Sequence, residues 1–225
     1  MQLQSFIDKF PVDQVGNTVN IEIIKKYQSY LPEALLELWR EHGFDFYGNG
    51  LIQIIDPERY QDVLWSWLMK DEPDMTRLPI AISAFGIVFY YRRLSDAGDE
   101  DISFMDPHNS DIGVTVWSLN DFFNEWLCDD EIIEQFLEKS ALSQAQEKYG
   151  KLAHDQMYCY LPALRLGGRA SDLNLDKGGG SHPFGFFIST CFRQLNLSVQ
   201  RYYWGEIKKT AYISCLNEKV KLLYT

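Results

Sequence analysis

The stretch over residues 31–92 constrains the fold most, because helix and strand patterns alternate along it with clear starts and stops. Its first segment has apolar residues at spacings of i, i+4, i+7 and i+8, which is typical of an amphipathic helix. These residues are Leu31, Leu35, Leu38 and Trp39. Pro32 suits the first turn of such a helix, and Gly43 is well suited to end it. The apolar run over residues 51–55 then has the length of a β-strand.

A second helix follows this strand. Asp56 can cap its first turn and Pro57 suits its first position. The apolar face behind them consists of Tyr60, Val63, Leu64, Trp67 and Leu68. Residues 80–85 and 87–91 predict two strands joined around Gly86. None of these residues forms a recognisable reacting centre, so the stretch predicts a scaffold.

The rest of the first half adds helices and strands of the same kind. Residues 3–10 predict a short amphipathic helix, and either Thr18 or Asn20 can cap the next one. Two further strands are predicted at residues 102–105 and 113–116, each beside an acidic, turn-rich connection. We therefore predict an α+β domain over residues 1–117, with helices packed on a mostly antiparallel sheet.

A smaller, mainly helical module is predicted over residues 118–176. Ser118 and Asp121 form a capping-box variant. Two apolar faces follow it, made by Phe122, Phe123, Trp126 and Leu127 and then by Ile132, Ile133, Phe136 and Leu137. A helix over residues 140–149 ends at Gly150. A short strand at residues 157–160 and a turn at residues 167–168 complete the module.

Composition indicates a folded protein. Of the 225 residues, 46% are hydrophobic and 15% aromatic, enough to bury a substantial core. The first residues lack the pattern of a secretory signal, and no apolar run reaches the length of a membrane span. The four cysteines lie far apart without a CxxC pair, so we expect them to be reduced. We therefore expect a cytoplasmic protein with no membrane partner.

The net charge of the chain is −11, and it is distributed unevenly along the sequence. Residues 1–176 carry −16, whereas residues 177–225 carry +5 and form an atypical basic, aromatic tail. Strands at residues 207–216 and 220–224 are conceivable in that tail. The acidic body argues against direct nucleic-acid binding, which requires basic groups, and favours a basic protein partner. The alternative is that the surplus acid only aids solubility.

Motifs for catalysis and cofactor binding are absent from the sequence. Gly178–Gly180 lead into Ser181-His182 rather than the Lys-Ser/Thr of a phosphate loop, and GxSxG, HExxH and GxGxxG do not occur. The four histidines have no spacing suited to a shared metal ion. The acidic connections lack the EF-hand spacing, so solvated turns explain them better than a calcium site. We expect no cofactor and no catalytic residue.

Candidate partner-binding residues come from the acidic connections and from one tryptophan. The acidic candidates are Asp96, Asp99, Glu100, Asp101, Asp106 and Asp111. Trp65 shares a helical face with Gln61 and Met69, away from the apolar face of its helix, so it could be an exposed interface anchor. The alternative is that this face of the helix is also buried.

Two long motifs resemble a known family. LPEALLELWREHGFDFYGNGLIQIIDPERY at residues 31–60 and LPIAISAFGIVFYY at residues 78–91 resemble the GAD-like domain. YGKLAHDQMYCYLPALRLGG at residues 149–168 resembles the second module of proteins that carry this domain. The pairing is similar to bacterial immunity proteins encoded beside type VI secretion DNase toxins. The resemblance implies a two-module α+β fold, no catalysis and a toxin as partner.

The resemblance covers roughly residues 1–176 and ends before the tail. The tail is then either an altered C-terminus, as after a frameshift, or a genuine extension that folds on the acidic body. Our main hypothesis is an immunity protein that sequesters a basic nuclease toxin in the cytosol, with an oligomeric state left open. The rivals are a small-ligand protein or enzyme on the same scaffold, and a regulatory interaction protein without a toxin.

Overall fold

The computed structural model describes residues 2–13, 18–109, 111–154, 156–160 and 175–178. The elements of the first half are α1 (Gln4–Lys9), α2 (Ile21–Tyr27), α3 (Glu33–His42), β1 (Phe46–Tyr47), β2 (Ile52–Ile54), α4 (Pro57–Trp67), β3 (Arg77–Ser83), β4 (Val88–Arg93), β5 (Glu100–Asp106) and β6 (Asp111–Val116). The second half contains α5 (Leu119–Asp121), π-helical turns at Phe122–Trp126 and Ile132–Phe136, α6 (Lys139–Tyr149), β7 (Met157–Tyr160) and β8 (Leu175–Gly178). The α+β prediction is confirmed.

Side-chain caps begin several helices where the sequence predicts them. Asn20, rather than Thr18, accepts a hydrogen bond from the Glu22 N–H at the start of α2. The carboxylate of Asp56 accepts from the Glu58 N–H in the same way at α4. The hydroxyl of Ser118 accepts from the Asp121 N–H at α5. These local interactions satisfy amides that have no partner inside the helix.

The first six strands form one antiparallel sheet in the order β1-β2-β3-β4-β5-β6. Sequence neighbours are therefore also spatial neighbours, as in a meander, and β6 lies at one edge. The turn between β3 and β4 contains Gly86, whose φ is 86°. The positive φ favours glycine, and a Cβ at this position would lie 2.5 Å from the Met157 Sδ, so a larger residue would have to displace that side chain.

Aromatic rings from the second half pack on this sheet. Phe89 of β4 and Phe104 of β5 are directly opposite each other in the register. The Phe89 ring lies 5.1 Å from that of Phe122, and the Phe104 ring lies 5.1 Å from that of Phe136. The Phe6 ring of α1 lies 5.0 Å from that of Phe123. The two predicted modules therefore share one hydrophobic core.

The two predicted helices after Ser118 contain wide turns. The Leu127 N–H donates to the Phe122 carbonyl and the Leu137 N–H to the Ile132 carbonyl, each five residues back. This π-helical spacing differs from the expected 3.6-residue period. It accompanies the complete burial of the adjacent rings of Phe122 and Phe123.

The strand predicted at residues 157–160 is present as β7, which pairs antiparallel with β8. The Tyr158 N–H donates to the Ala84 carbonyl over 2.9 Å, so β7 is tied to the end of β3. The turn predicted at residues 167–168 and the tail strands at residues 207–216 and 220–224 lie outside the described residues. In the part that the structure describes, no helix combines the length and apolarity of a membrane span.

Candidate partner-binding surface

The turn between β4 and β5 presents acidic side chains on a loop ordered by its own hydrogen bonds. The Leu94 N–H donates to the Asp99 carbonyl over 2.8 Å. The Ser95 hydroxyl donates to the Asp99 carboxylate over 2.6 Å and accepts from the Ala97 N–H over 3.1 Å. The Asp96 side chain is fully exposed and lies 3.4 Å from the Arg93 guanidinium. Asp96 and Asp99 thus face solvent from a defined loop.

Glu100 connects this turn to the second half of the chain. Its carboxylate accepts a hydrogen bond from the Leu119 N–H over 2.8 Å. Burial raises the pKa of Tyr91 above its ordinary value, and the neighbouring Glu100 carboxylate raises it further. Because one oxygen of Glu100 holds the start of α5, this residue has a structural role beside the exposed turn.

Asp101 is not available to a partner, in contrast to the sequence prediction. Its side chain is completely buried and accepts from the Arg92 guanidinium over 2.8 and 2.5 Å. The Ser103 hydroxyl donates to it over 2.9 Å. Arg92 stands opposite Asp101 on the neighbouring strand, so the pairing of β4 with β5 directs this carboxylate inward.

Asp106 is also turned inward, which corrects its assignment to an exposed binding loop. It is 8% exposed and accepts from the backbone N–H groups of His108 and Asn109 over 2.8 and 3.2 Å. It therefore shapes the turn after β5. Asp111 is exposed, but it lies opposite Asp106, at the other end of β5 from Glu100. The rise of an extended strand separates these ends by about 20 Å.

Trp65 is buried, and the prediction of an exposed anchor is wrong. Its side chain is 6% exposed, and the indole N–H donates to the Arg77 carbonyl over 2.8 Å. The helix α4 packs against β3, so the face carrying Trp65 meets the sheet. The exposed apolar side chain near this helix end is that of Met69.

Among the described residues, Trp117 is the exposed tryptophan, and it was not among the candidates predicted from the sequence. Its side chain is 69% exposed, and Leu94 is 43% exposed. Both line an open groove of about 640 Å³ together with Ser95, Gly98, Asp99, Glu100 and Ser118. Trp117 stands between the end of β6 and the cap of α5, so neither element's periodicity includes it. The only clue to its exposure in the sequence was its position between two well-defined elements.

A second pocket of about 300 Å³, lined by both apolar and polar side chains, lies where the two halves of the chain meet on another side. The Gln53 Nε2 and the His154 Nδ1 are 3.0 Å apart, and the His154 Nε2 lies 3.9 Å from the buried Asp45 carboxylate. Its volume is at the lower end of the range for small-molecule sites. Among the described residues, no group of three or more His, Cys, Asp or Glu could hold a metal ion.

Two family models match the chain, one on either side of Trp117. The GAD-like domain matches residues 1–98, and the C-terminal domain of the T6SS immunity protein Tdi1 matches residues 118–179. The chain combines these two domains, the architecture of a type VI secretion immunity protein. In this immunity protein the groove lies at the junction of the two matched segments, with Leu94 in the first and Ser118 in the second.

Among solved structures, the immunity protein is similar to Atu4351 from Agrobacterium tumefaciens. The two chains share 16% sequence identity with a TM-score of 0.62, over 84% of this chain and 87% of that one. At this identity the likeness shows the fold alone. No curated protein matches the chain.

Proposed function

We propose that this immunity protein binds and neutralises a cognate type VI nuclease toxin in the cytoplasm of the producing cell, without catalysis and without a cofactor. The match of residues 118–179 to the Tdi1 immunity domain is the observation that carries the proposal. The partner is a basic protein, since a nuclease uses Lys and Arg side chains to contact phosphates. The immunity protein itself does not bind nucleic acid directly.

The charge of the chain supports this partner. Residues 1–176 carry −16, so the field of the immunity protein attracts a basic surface and repels nucleic acid. Electrostatic complementarity of this kind mainly accelerates association, while buried apolar and aromatic contacts slow dissociation. The exposed carboxylates of Asp96 and Asp99 and the exposed ring of Trp117 provide both kinds of contact.

The proposal is tested by co-purification with the protein encoded by the adjacent toxin gene, followed by a DNA-cleavage assay. We expect a stable complex and a loss of cleavage that is complete at a stoichiometric ratio. A heat-denatured sample of the immunity protein controls for nonspecific inhibition. A folded immunity protein that neither binds this toxin nor reduces cleavage at large molar excess would contradict the proposal.

A further inference from the structure

The groove beside Trp117 combines apolar walls with an acidic rim. The rings and chains of Trp117 and Leu94 supply apolar surface, and Asp99 and Glu100 supply carboxylates. The fully exposed Asp96 lies on the turn that forms one wall. Large aromatic side chains are enriched at the centres of protein interfaces, and an exposed one beside further apolar surface is typical of an interaction site.

The groove has a defined shape before any partner binds. The Ser95 hydroxyl, which donates to the Asp99 carboxylate and accepts from the Ala97 N–H, holds the turn on one side. The bond between Glu100 and the Leu119 N–H fixes that turn against the start of α5, directly after Trp117. A preformed recess loses little conformational entropy on binding, which leaves more of the contact energy for affinity.

The other exposed apolar residues do not form a comparable site. Among the described residues, Ile21 is the first residue of α2, Tyr30 follows that helix, and Met69 follows α4. Ile112 and Val114 lie on β6, before the strand reaches the groove. Trp117 and Leu94 are the large exposed apolar residues that share one recess lined by carboxylates.

We infer that this groove receives an apolar side chain of the toxin that is flanked in the toxin sequence by Lys or Arg. The inference rests on the function proposed above and assigns the surface that performs it. The apolar side chain packs against the indole of Trp117, and a neighbouring cation faces Asp96 and Asp99. A Lys or Arg beside the indole face gains a further cation–π attraction. An acidic segment would be repelled by the same rim.

The test compares two groove variants with two matched controls in the full-length chain. Trp117→Ala removes the anchor and Asp96→Asn removes a fully exposed charge of the rim. Ile112→Ala and Asp111→Asn make the corresponding changes at exposed residues outside the groove. Binding kinetics are measured against a nuclease-inactive form of the toxin from the adjacent gene, at low and at physiological salt.

We expect Trp117→Ala to raise the dissociation constant at least ~30-fold, mainly through faster dissociation. Asp96→Asn slows association at low salt and has less effect at physiological salt, because salt screens an exposed charge. Both controls stay within about two-fold of the unmodified chain. If all four variants bound the toxin as strongly as the wild type does, the groove would be excluded as the binding site, and the proposed function would remain intact. No binding by the wild type would overturn both.

Hydrogen exchange gives a second reading that does not depend on a variant. Complex formation should slow exchange in residues 94–100 and 117–119 of the immunity protein. Unchanged exchange there, with protection elsewhere, would place the toxin on another surface. Urea unfolding of Trp117→Ala, whose altered side chain is mostly exposed, checks that its fold is retained.

Discussion

The two acidic turns at the ends of β5 have similar compositions and different structures. The turn before β5 exposes Asp96 and Asp99 beside an apolar groove. In the turn after β5, Asp106 is buried because it accepts hydrogen bonds from the backbone of the turn itself. The ring of His108 in this second turn is also buried, 5.5 Å from the ring of Tyr160.

The difference shows that the position of an acid relative to backbone amides and cations decides its role. A carboxylate that is buried against backbone N–H groups or a cross-strand arginine is fixed inside the protein, as in Asp106 and Asp101. A carboxylate that meets only water or a long surface side chain remains available to a partner, as in Asp96. We call the first group, which is buried, the inward class and the second, which is exposed, the outward class. Variants separate these two classes, starting with the largest expected loss.

The largest loss is expected for Asp101→Asn. The change leaves the Arg92 guanidinium without its charged partner next to a buried site, which costs about 2–4 kcal/mol of unfolding free energy. Urea unfolding followed by circular dichroism measures this loss. Asp111→Asn, at an exposed position, serves as the control. If the loss of unfolding free energy at Asp101 were as small as that of the control, Asp101 would not belong to the inward class.

A smaller loss is expected for Asp106→Ala. This change leaves the His108 and Asn109 N–H groups of the second turn without their acceptor, at about 2 kcal/mol. Asp106→Asn retains one acceptor oxygen and should recover about half of the loss in the same urea experiment. If the Asn variant were as unstable as the Ala variant, the charge rather than the hydrogen bonding of Asp106 would be responsible.

Asp74 extends the inward class to acid pH. Burial raises its pKa, but hydrogen bonds from Thr76, Lys70 and Arg77 outweigh this and lower it to about 2. The folded pKa lies below the unfolded value, so Asp74 contributes stability above the ordinary value of 3.8, and this contribution is lost as pH falls toward 2. Asp74→Asn should flatten the decline in melting temperature over this pH window. If the melting temperature of Asp74→Asn declined as steeply as that of Asp111→Asn, Asp74 would be excluded as the cause of the decline.

The smallest effects are expected for the outward class. Asp96→Asn and Asp111→Asn should each change the unfolding free energy by less than ~0.5 kcal/mol, because exposed carboxylates gain little from surface ion pairs. The same urea titrations measure these values. A loss of about 1.5 kcal/mol or more at Asp96 would show that the first turn depends on its charge.

Local chemistry was sufficient to predict most elements of the fold. Caps at Asn20, Asp56 and Ser118 and the glycine turn at Gly86 depend on residues close in sequence. The candidate surface was predicted less well, since its residues depend on contacts distant in sequence. Asp101 is buried through its cross-strand partner Arg92, and the buried side chain of Trp65 depends on how α4 meets β3.

The core shared by the two halves has a consequence for how protection arises during synthesis. Until residues 118–136 leave the ribosome, the aromatic face of the sheet at Phe89 and Phe104 has no cover from Phe122 and Phe136. We therefore expect the nascent GAD-like segment to be a chaperone substrate, and the finished chain to acquire its protective form late and in a single step. For the same reason, we expect a proteolytic cut after α5 to destabilise both halves together, because each half contributes residues to the same core.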